Sequence, residues 1–153
     1  MADHADDGND YDGDIFVYRG GRAPRHVTHV RIDKSVEVIE EHAFNDCLNL
    51  VQVETHDGIR SVGERAFYGC KQLRRTNLSS AVEIGEDAFC LCGNLESVEF
   101  GDNLETIGWC AFYGCRSLTS LKLPSIVTIE PEAFYNCSAL TYIEFSERLE
   151  TIE

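Results

Sequence analysis

The strongest constraint on the fold is a repeat of 22 or 23 residues that runs through most of the chain. Each repeat carries an Ala-Phe pair, a cysteine three residues after the phenylalanine, and a leucine three residues after the cysteine. Several landmarks that keep one period predict a solenoid, in which one small unit is stacked on copies of itself. The landmarks are Phe44, Phe67, Phe89, Phe112 and Phe134, then Cys47, Cys70, Cys92, Cys115 and Cys137, then Leu50, Leu73, Leu95, Leu118 and Leu140.

Each repeat opens with two inward residues separated by one outward residue, which is the period of a half-buried strand. Because the same strand returns once per coil, its neighbours are its own copies, and we expect them to pair as a parallel sheet. The inward pairs are Val30 and Ile32, Val53 and Thr55, Thr76 and Leu78, Val98 and Phe100, Leu121 and Leu123, and Ile143 and Phe145.

The chain then turns through one apolar residue towards a second apolar landmark. We assign the turn to Val36, Ile59, Val82, Leu104, Val127 and Leu149, and the second landmark to Ile39, Val62, Ile84, Ile107, Ile129 and Ile152. The distance between the two is two residues in the third and fifth coils and three in the others. This difference predicts that the alternation of 22 and 23 residues arises in that turn.

A short helix is predicted between the second landmark and the cysteine. Acidic residues at its start and Pro131 at a first helical position are typical of helix N-termini. The residue before the cysteine is Asp46, Gly69, Gly114 or Asn136 in four coils, and each tolerates the left-handed conformation that ends a helix. We therefore expect one to two helical turns per coil, with a different ending in the third coil, where Leu91 occupies this position.

Composition divides the chain into three parts. Residues 1–14 hold six aspartates and no Lys or Arg, which predicts a disordered acidic tail. Residues 15–26 are a candidate N-terminal cap, and residues 27–153 form a repeat array of five full coils and a truncated sixth. The incomplete sixth coil indicates either a fragment of a longer protein or a last edge that something else covers.

The formal net charge of −14 disfavours nucleic acid and anionic membranes as partners and leaves a protein or peptide, including a basic one, as the expected partner. No apolar run is long enough for a membrane span, and the acidic N-terminus does not resemble a signal peptide. We therefore expect a cytoplasmic protein with reduced thiols. Oligomeric state stays open.

Metal and cofactor sites find little support in the sequence. The stretch Asp10-x-Asp12-Gly13-Asp14 is similar to part of a calcium loop, but that alignment puts Gly8 and Arg19 at the first and last ligand positions. Cysteines of the periodic column should lie about 5 Å apart, within disulfide reach, yet buried free thiols explain the period better. Cys90 and Cys110 could join Cys92 and Cys115 in a zinc site, but the repeat already accounts for the last two.

Catalytic residues are not indicated either. His29, His42 and His56 occupy different phases of the repeat, with no Ser or Cys motif of an activated nucleophile beside them. We predict no metal, no cofactor and no enzymatic activity.

The pattern I-G-x-x-A-F-x-x-C-x-x-L-x-x-V-x-F resembles the BspA-like class of leucine-rich repeat over residues 27–153. In the fourth repeat it is carried by Ile107-Gly108, Ala111-Phe112, Cys115, Leu118, Leu121 and Leu123. The resemblance implies an α/β solenoid, a right-handed β-α superhelix with a parallel sheet on its concave face. It also implies a binding or adhesion surface rather than an enzyme, in a class whose members are often secreted or surface-bound.

The outward strand positions are the candidate partner-binding residues, because adjacent coils display them as one broad patch. They are His29, Arg31, Gln52, Glu54, Arg75, Asn77, Ser97, Glu99, Ser120, Lys122, Tyr142 and Glu144. A second column, Tyr68, Tyr113 and Tyr135, either covers the core or forms a lateral contact. The sequence thus predicts a non-catalytic protein-binding scaffold. The alternatives are an extracellular adhesion or glycan-binding module, and a structural fragment of a larger repeat protein.

Overall fold

The computed structural model describes residues 10–152, within which the chain forms fourteen short strands and no helix. The strands are β1 (Asp10–Asp12), β2 (Ile15–Tyr18), β3 (His29–Ile32), β4 (Val38–Ile39), β5 (Gln52–Glu54), β6 (Ser61–Val62), β7 (Arg75–Leu78), β8 (Glu83–Ile84), β9 (Ser97–Phe100), β10 (Thr106–Ile107), β11 (Ser120–Leu123), β12 (Thr128–Ile129), β13 (Tyr142–Phe145) and β14 (Thr151–Ile152). Nothing in this part of the chain is a helix that could cross a membrane.

Three sides make up each coil: a long strand, a short strand, and a turn segment that contains the Ala-Phe pair and the cysteine. The long strands are β3, β5, β7, β9, β11 and β13, and the short strands are β4, β6, β8, β10, β12 and β14. We define the turn segments as residues 40–47, 63–70, 85–92, 108–115 and 130–137. The fold is therefore a β-solenoid of about six coils.

The long strands pair in parallel and in register, as their alternating pattern predicted. Val30 lies opposite Val53, Thr76 opposite Val98, and Leu121 opposite Ile143. Regular pairing is interrupted between β5 and β7 and again between β9 and β11, so this side consists of three ladders. At the last coil the expected inward residue Phe145 is exposed, because no described coil covers it.

A second parallel sheet is formed by the six short strands in the order of the coils. The second apolar landmark runs through it in register, from Ile39 through Val62 and Ile84 to Ile152. Sequence analysis identified these residues as a landmark but not as strands, because a two-residue strand is too short for period-two alternation to be visible.

The expectation of a helix in each turn segment was wrong, and so was the α/β class. Every turn segment places two residues four apart in the left-handed region, as with His42 at φ 58° and Asp46 at φ 56°. A right-handed helix cannot contain a left-handed residue in each turn. The fold class is instead an all-β parallel solenoid.

Hydrogen bonds show what replaces the helix. In the first coil the N–H groups of Ala43, Asn45 and Cys47 bond to carbonyls three residues earlier in the chain. Those of His42, Phe44 and Asp46 instead bond to carbonyls of the next coil at 2.7–2.9 Å. Alternate amides therefore serve the turn and the stacking, whereas a helix would use all of them internally.

The expected different ending of the third coil was also wrong. Leu91 adopts φ 60°, in the same conformation as Gly69, Gly114 and Asn136 at the equivalent positions. Its amide bonds to the carbonyl of Tyr113 in the next coil at 2.7 Å, as Gly69 does to Cys90. Stacking therefore imposes the left-handed conformation on a residue that does not favour it by itself.

Two turn residues were assigned one position too late. Ala81 and Ile126 are fully buried, whereas the expected Val82 and Val127 are half-buried. With this correction, the second landmark lies three positions after the turn residue in all six coils. The extra residue of the 23-residue coils lies earlier, between the long strand and the turn, where it leaves the core positions unchanged.

The phenylalanines form one stacked row through the core, as the repeat predicted. Successive ring centroids from Phe44 to Phe134 lie 5.0, 5.0, 5.3 and 5.6 Å apart, with planes tilted by 4–14°. At the N-terminal end Tyr18 lies over Phe44, at 4.9 Å and 50°. The row is therefore buried at one end and ends at Phe134, which is only partly buried.

Residues before the first coil add to its long-strand side. β2 pairs in parallel with β3, and β1 pairs antiparallel with β2. Ala23 donates its amide to the carbonyl of Ala43 at 2.8 Å, over the first turn segment. The assignment of residues 10–14 to the acidic tail needs correction, since they form β1 and the turn that follows it. Residues 1–9 of that tail lie outside the described part.

Glycine at the start of three turn segments is explained by the close approach of neighbouring coils. A Cβ added to Gly85 would lie 2.9 Å from the carbonyl oxygen of Val62 and 3.0 Å from the amide nitrogen of Glu64. Gly63 and Gly108 meet the preceding coil in the same way. These contacts are with backbone atoms, so a side chain there would force the coils apart.

Candidate binding face

The twelve candidate residues all lie on the outer side of the long strands, which we call the long-strand face. Each is exposed or half-buried. Strand pairing arranges them in two rows across the coils, one with His29 opposite Gln52 and Ser120 opposite Tyr142, the other with Arg31 opposite Glu54 and Lys122 opposite Glu144. Arg75 and Asn77 lie opposite Ser97 and Glu99 in the same two rows. The face thus brings together the residues that the two-residue period selected.

Charges at the N-terminal end of this face are already paired with one another. Arg31 donates to Glu54 through Nε at 2.7 Å and to Asp12 through Nη1 at 2.8 Å. Both hydrogen bonds favour the charged guanidinium and raise the pKa of Arg31 above its ordinary value. A partner that used Arg31 would have to replace two short charge-assisted bonds, so this end is poorly suited to supply new contacts.

The arginines of the central coils are different, because they make only long contacts with carboxylates, whereas Glu99 accepts a hydrogen bond from Asn77 at 2.8 Å. Nη2 of Arg75 lies 3.9 Å from Glu96, and Nη1 of Arg74 lies 3.8 Å from the same carboxylate. The Arg75 side chain is 78% exposed. Exposed pairs of this kind contribute little to stability, so their rearrangement by a partner costs little.

An open groove of about 620 Å³ lies among these central residues, with β5, β7 and β9 supplying its walls. It coincides with the break in regular pairing between β5 and β7. Val51, which is 45% exposed, lines the groove together with the aliphatic stems of the neighbouring long side chains. The groove combines apolar area with Arg75, Asn77 and Glu99, in an arrangement suited to a polypeptide rather than to a buried small molecule.

Three residues of this region were missed by sequence reasoning: Asp12, Arg74 and Glu96. Asp12 was assigned to the tail, and its contact with Arg31 is visible only once β1 is placed. Arg74 and Glu96 immediately precede β7 and β9, one position before the outward residues. The sequence signal that could have identified Arg74 and Glu96 is a charged residue immediately before a long strand.

The tyrosine column lies on the turn-segment side, away from the long-strand face. Tyr113 and Tyr135 stack at 5.3 Å with a 17° tilt, and the guanidinium of Arg65 lies 5.9 Å from the Tyr68 ring centroid. Arg65 also donates to Asp87 at 3.0 Å. Cys90 interrupts the column between Tyr68 and Tyr113, so the tyrosines do not form one continuous aromatic surface.

The cysteine column consists of free thiols that donate to backbone carbonyls. Cys70, Cys92 and Cys115 each donate to the phenylalanine carbonyl of the preceding coil at 3.0–3.1 Å. Burial raises the pKa of these three thiols well above the ordinary value, and it raises the pKa of Cys47 and Cys137 to about 11. The column position therefore holds a small residue whose buried thiol stays protonated and hydrogen-bonds to the preceding coil.

Cys90 and Cys110 lie outside the column, on the turn-segment side near Asp87. Burial and the nearby Asp87 carboxylate raise the pKa of Cys90 to about 12, and burial and Glu132 raise that of Cys110 to about 11. Among residues 10–152, no three His, Cys, Asp or Glu side chains are grouped so that they could hold a metal ion.

This geometry defines a class of protein: a parallel β-solenoid repeat whose coils are held by a phenylalanine row, a thiol column and two sheets. A family model described as the BspA type leucine rich repeat region, with six copies, matches residues 24–83 and 77–153. The chain belongs to this leucine-rich repeat family.

Solved structures support the same assignment. A leucine-rich repeat protein of T. pallidum is 29% identical, with a TM-score of 0.74, 84% of this chain covered and 62% of that one. A leucine-rich cell surface protein of Faecalibacterium prausnitzii A2-165 is 32% identical, with a TM-score of 0.76 and 86% and 35% covered. The pneumococcal vaccine antigen PcpA shares the fold at 24% identity, with a TM-score of 0.70 and 86% and 34% covered.

The chain therefore spans less than two thirds of the length of each of these structures. A search of curated protein sequences gave no match.

Proposed function

We propose that the chain is a non-catalytic scaffold that binds a protein partner on the long-strand face, with the groove between β5, β7 and β9 as the centre of the contact. The observation that carries the proposal is the contrast in charge pairing along this face. Arg31 is held by two short bonds, whereas Arg74 and Arg75 make only contacts of 3.8–3.9 Å. Binding energy is most readily gained where charges are not already committed and apolar area is accessible.

A partner with a basic surface fits the overall charge. The net charge of −14 attracts cations over long distances and speeds their association, while the mixed charges of the groove set the register of the bound segment. Association should therefore slow as salt is added, because exposed charges are screened beyond about 10 Å at 0.1 M ionic strength.

Site-specific photocrosslinking in extract of the source cells tests the position of the face. A photoreactive amino acid replaces Asn77, which lies in the groove, and in a matched control it replaces Glu83, an exposed residue of the short-strand sheet. We expect discrete adducts from position 77 that Arg75→Glu removes, and none of the same mass from position 83. Identical adducts from both positions would place the contact elsewhere.

A second candidate is a module displayed at the cell surface for adhesion or glycan binding. The observation that favours it is the description of the Faecalibacterium prausnitzii relative as a cell surface protein at 32% identity. Buried thiols without disulfides favour the cytoplasmic alternative that the sequence analysis expected. Antibody labelling of intact and permeabilised source cells separates the two, because a surface module is labelled in both and a cytoplasmic scaffold only after permeabilisation.

A further inference from the structure

One row of the long-strand face carries charges that alternate in sign, except at its centre. The row consists of the second outward residue of each long strand, preceded by Asp12 of β1. At its N-terminal end Arg31 bonds to both of its neighbours, Asp12 and Glu54, at 2.8 and 2.7 Å. In chain order the members are Asp12, Arg31, Glu54, Asn77, Glu99, Lys122 and Glu144. The neutral member, Asn77, therefore lies between two carboxylates, at the position where a cation would continue the alternation.

Hydrogen bonds and strand register place Asn77 directly between its two acidic neighbours. On one side the Thr55 hydroxyl, which follows Glu54 in the chain, donates to the Asn77 carbonyl at 2.6 Å. On the other side Asn77 pairs in register with Glu99. Neighbouring strands are about 4.8 Å apart, so each acid is one strand spacing from Asn77. Opposite charges at this separation attract, and a cation over Asn77 would interact with both acids.

The carboxylate of Glu99 has no cation from its own chain. Its Oε2 accepts a hydrogen bond from the neutral Nδ2 of Asn77 at 2.8 Å, and among residues 10–152 no Lys, Arg or His forms an ion pair with it. Both residues are exposed, and both line the groove of about 620 Å³. A basic group that enters the groove can therefore reach Glu99 without breaking an existing ion pair.

We propose that the groove takes an arginine or lysine side chain of the partner over Asn77, where it donates to Glu99 and lies one strand from Glu54. The inference rests on the proposed function and specifies what the partner presents there, which is an extended segment with a basic residue. An acidic segment fits less well, because Arg74 and Arg75 both already face the Glu96 carboxylate, at 3.8 and 3.9 Å. It would also approach a chain whose net charge is −14.

Capped pentapeptides titrated into the full chain at low ionic strength test the inference. The probe is Ser-Val-Arg-Val-Ser, and its matched control carries citrulline, a neutral side chain of nearly the same shape, in place of arginine. The NMR signals of the Asn77 side-chain amide and the Glu99 backbone should shift. The arginine peptide should bind about 3-fold more tightly than the citrulline peptide, as expected for one exposed charge pair. A third peptide with glutamate at its centre should bind more weakly than either.

Variants of the protein locate the charge that is recognised. Glu99→Gln should remove the preference for arginine over citrulline. Glu83→Gln removes the same charge from an exposed position of the short-strand sheet and should leave the preference intact. Asn77→Lys should also remove it, because the chain then supplies its own cation. This variant should melt about 2 °C above Asn77→Met, which loses the same amide without adding a charge, and the difference should vanish in about 1 M salt.

The proposal is overturned if the arginine and citrulline peptides bind equally, or if neither binds at millimolar concentration. It is also overturned if Glu83→Gln weakens binding as much as Glu99→Gln, which would show that only the net charge attracts the peptide. Tighter binding of the glutamate peptide would place the contact at the arginines and overturn it too. Each of these results differs from failure of the proposed function, because photocrosslinking from position 77 reports any partner on this face, whatever its charge.

Discussion

Shortening one phenylalanine of the stacked row should cost stability in proportion to how many rings surround it. Phe89 is fully buried, with ring neighbours at 5.0 and 5.3 Å, whereas Phe134 is partly buried and has one at 5.6 Å. Phe→Ala in a core costs about 3–5 kcal/mol, and each aromatic pair contributes about 0.5–1.5 kcal/mol beyond burial. We expect Phe89→Ala to lower the free energy of unfolding by about 4 kcal/mol and Phe134→Ala by about 2 kcal/mol.

Urea unfolding, monitored by circular dichroism, measures the free energy of unfolding of both variants under the same conditions. Each variant is the matched control for the other, because both lose the same side-chain atoms. Among residues 10–152, Phe134 has a neighbouring phenylalanine ring on one side only, so Phe134→Ala should also leave most of the cooperative transition intact. Equal losses in the two variants, or a larger loss at Phe134, would refute the view that stability arises from ring contacts between neighbouring coils.

Three further predictions concern single side chains. Thr76→Val should stabilise the protein by about 1 kcal/mol in thermal or urea unfolding, because the buried Thr76 hydroxyl has no hydrogen-bond partner among the described residues; a loss of stability would contradict this. Because burial raises the folded-state pKa of all seven thiols, their contribution to stability is complete below about pH 8.5 and is lost progressively above it. Urea midpoints should therefore fall as the pH rises from about 8.5 to 9.5, and the fall should be smaller in Cys92→Ala, which has one buried thiol fewer; an equal fall would contradict this. Leu91→Asn should raise the melting temperature, by relief of about 0.5–1 kcal/mol of left-handed strain at an exposed position; an unchanged or lower value would show that the Leu91 side chain has a packing role.

The row of phenylalanines and the pairing of the long strands could be predicted, because each follows from a period that is visible in the sequence. Period-two alternation selects Leu121 and Leu123 as inward and Ser120 and Lys122 as outward without knowledge of the coil's path. The same reasoning placed all twelve face residues on one side. The ion pairs of these residues could not all be predicted. Arg31 pairs with Asp12 of β1, and the sequence of β1 does not belong to the repeat.

The absence of helices could not be predicted from the sequence, because the same residues signal the end of a helix and a left-handed turn. Gly69, Gly114 and Asn136 suit either structure, and acids before the Ala-Phe pair suit both as well. The neighbouring coil decides between the two structures, because its carbonyls accept hydrogen bonds from alternate amides that a helix would need for its own hydrogen bonds. His42, Arg65 and Cys110 give no sequence signal for the left-handed conformation that they adopt.

Contacts between neighbouring coils constrain the turn segments more strongly than the outward residues of the long strands. Turn segments are constrained on both sides, by glycines that admit the preceding coil and by thiols that reach its carbonyls, so substitution there alters the spacing of every coil beyond it. Outward residues of the long strands meet neighbouring coils through their backbone only in the regular ladder, and some of their side chains pair between coils, as Arg31 does with Glu54 and Asn77 with Glu99. The row from Phe44 to Phe134 is fixed by contacts that each coil repeats, whereas Arg75 and Asn77 occupy positions that the repeat does not constrain. The fold can therefore be predicted from the sequence, and a partner cannot.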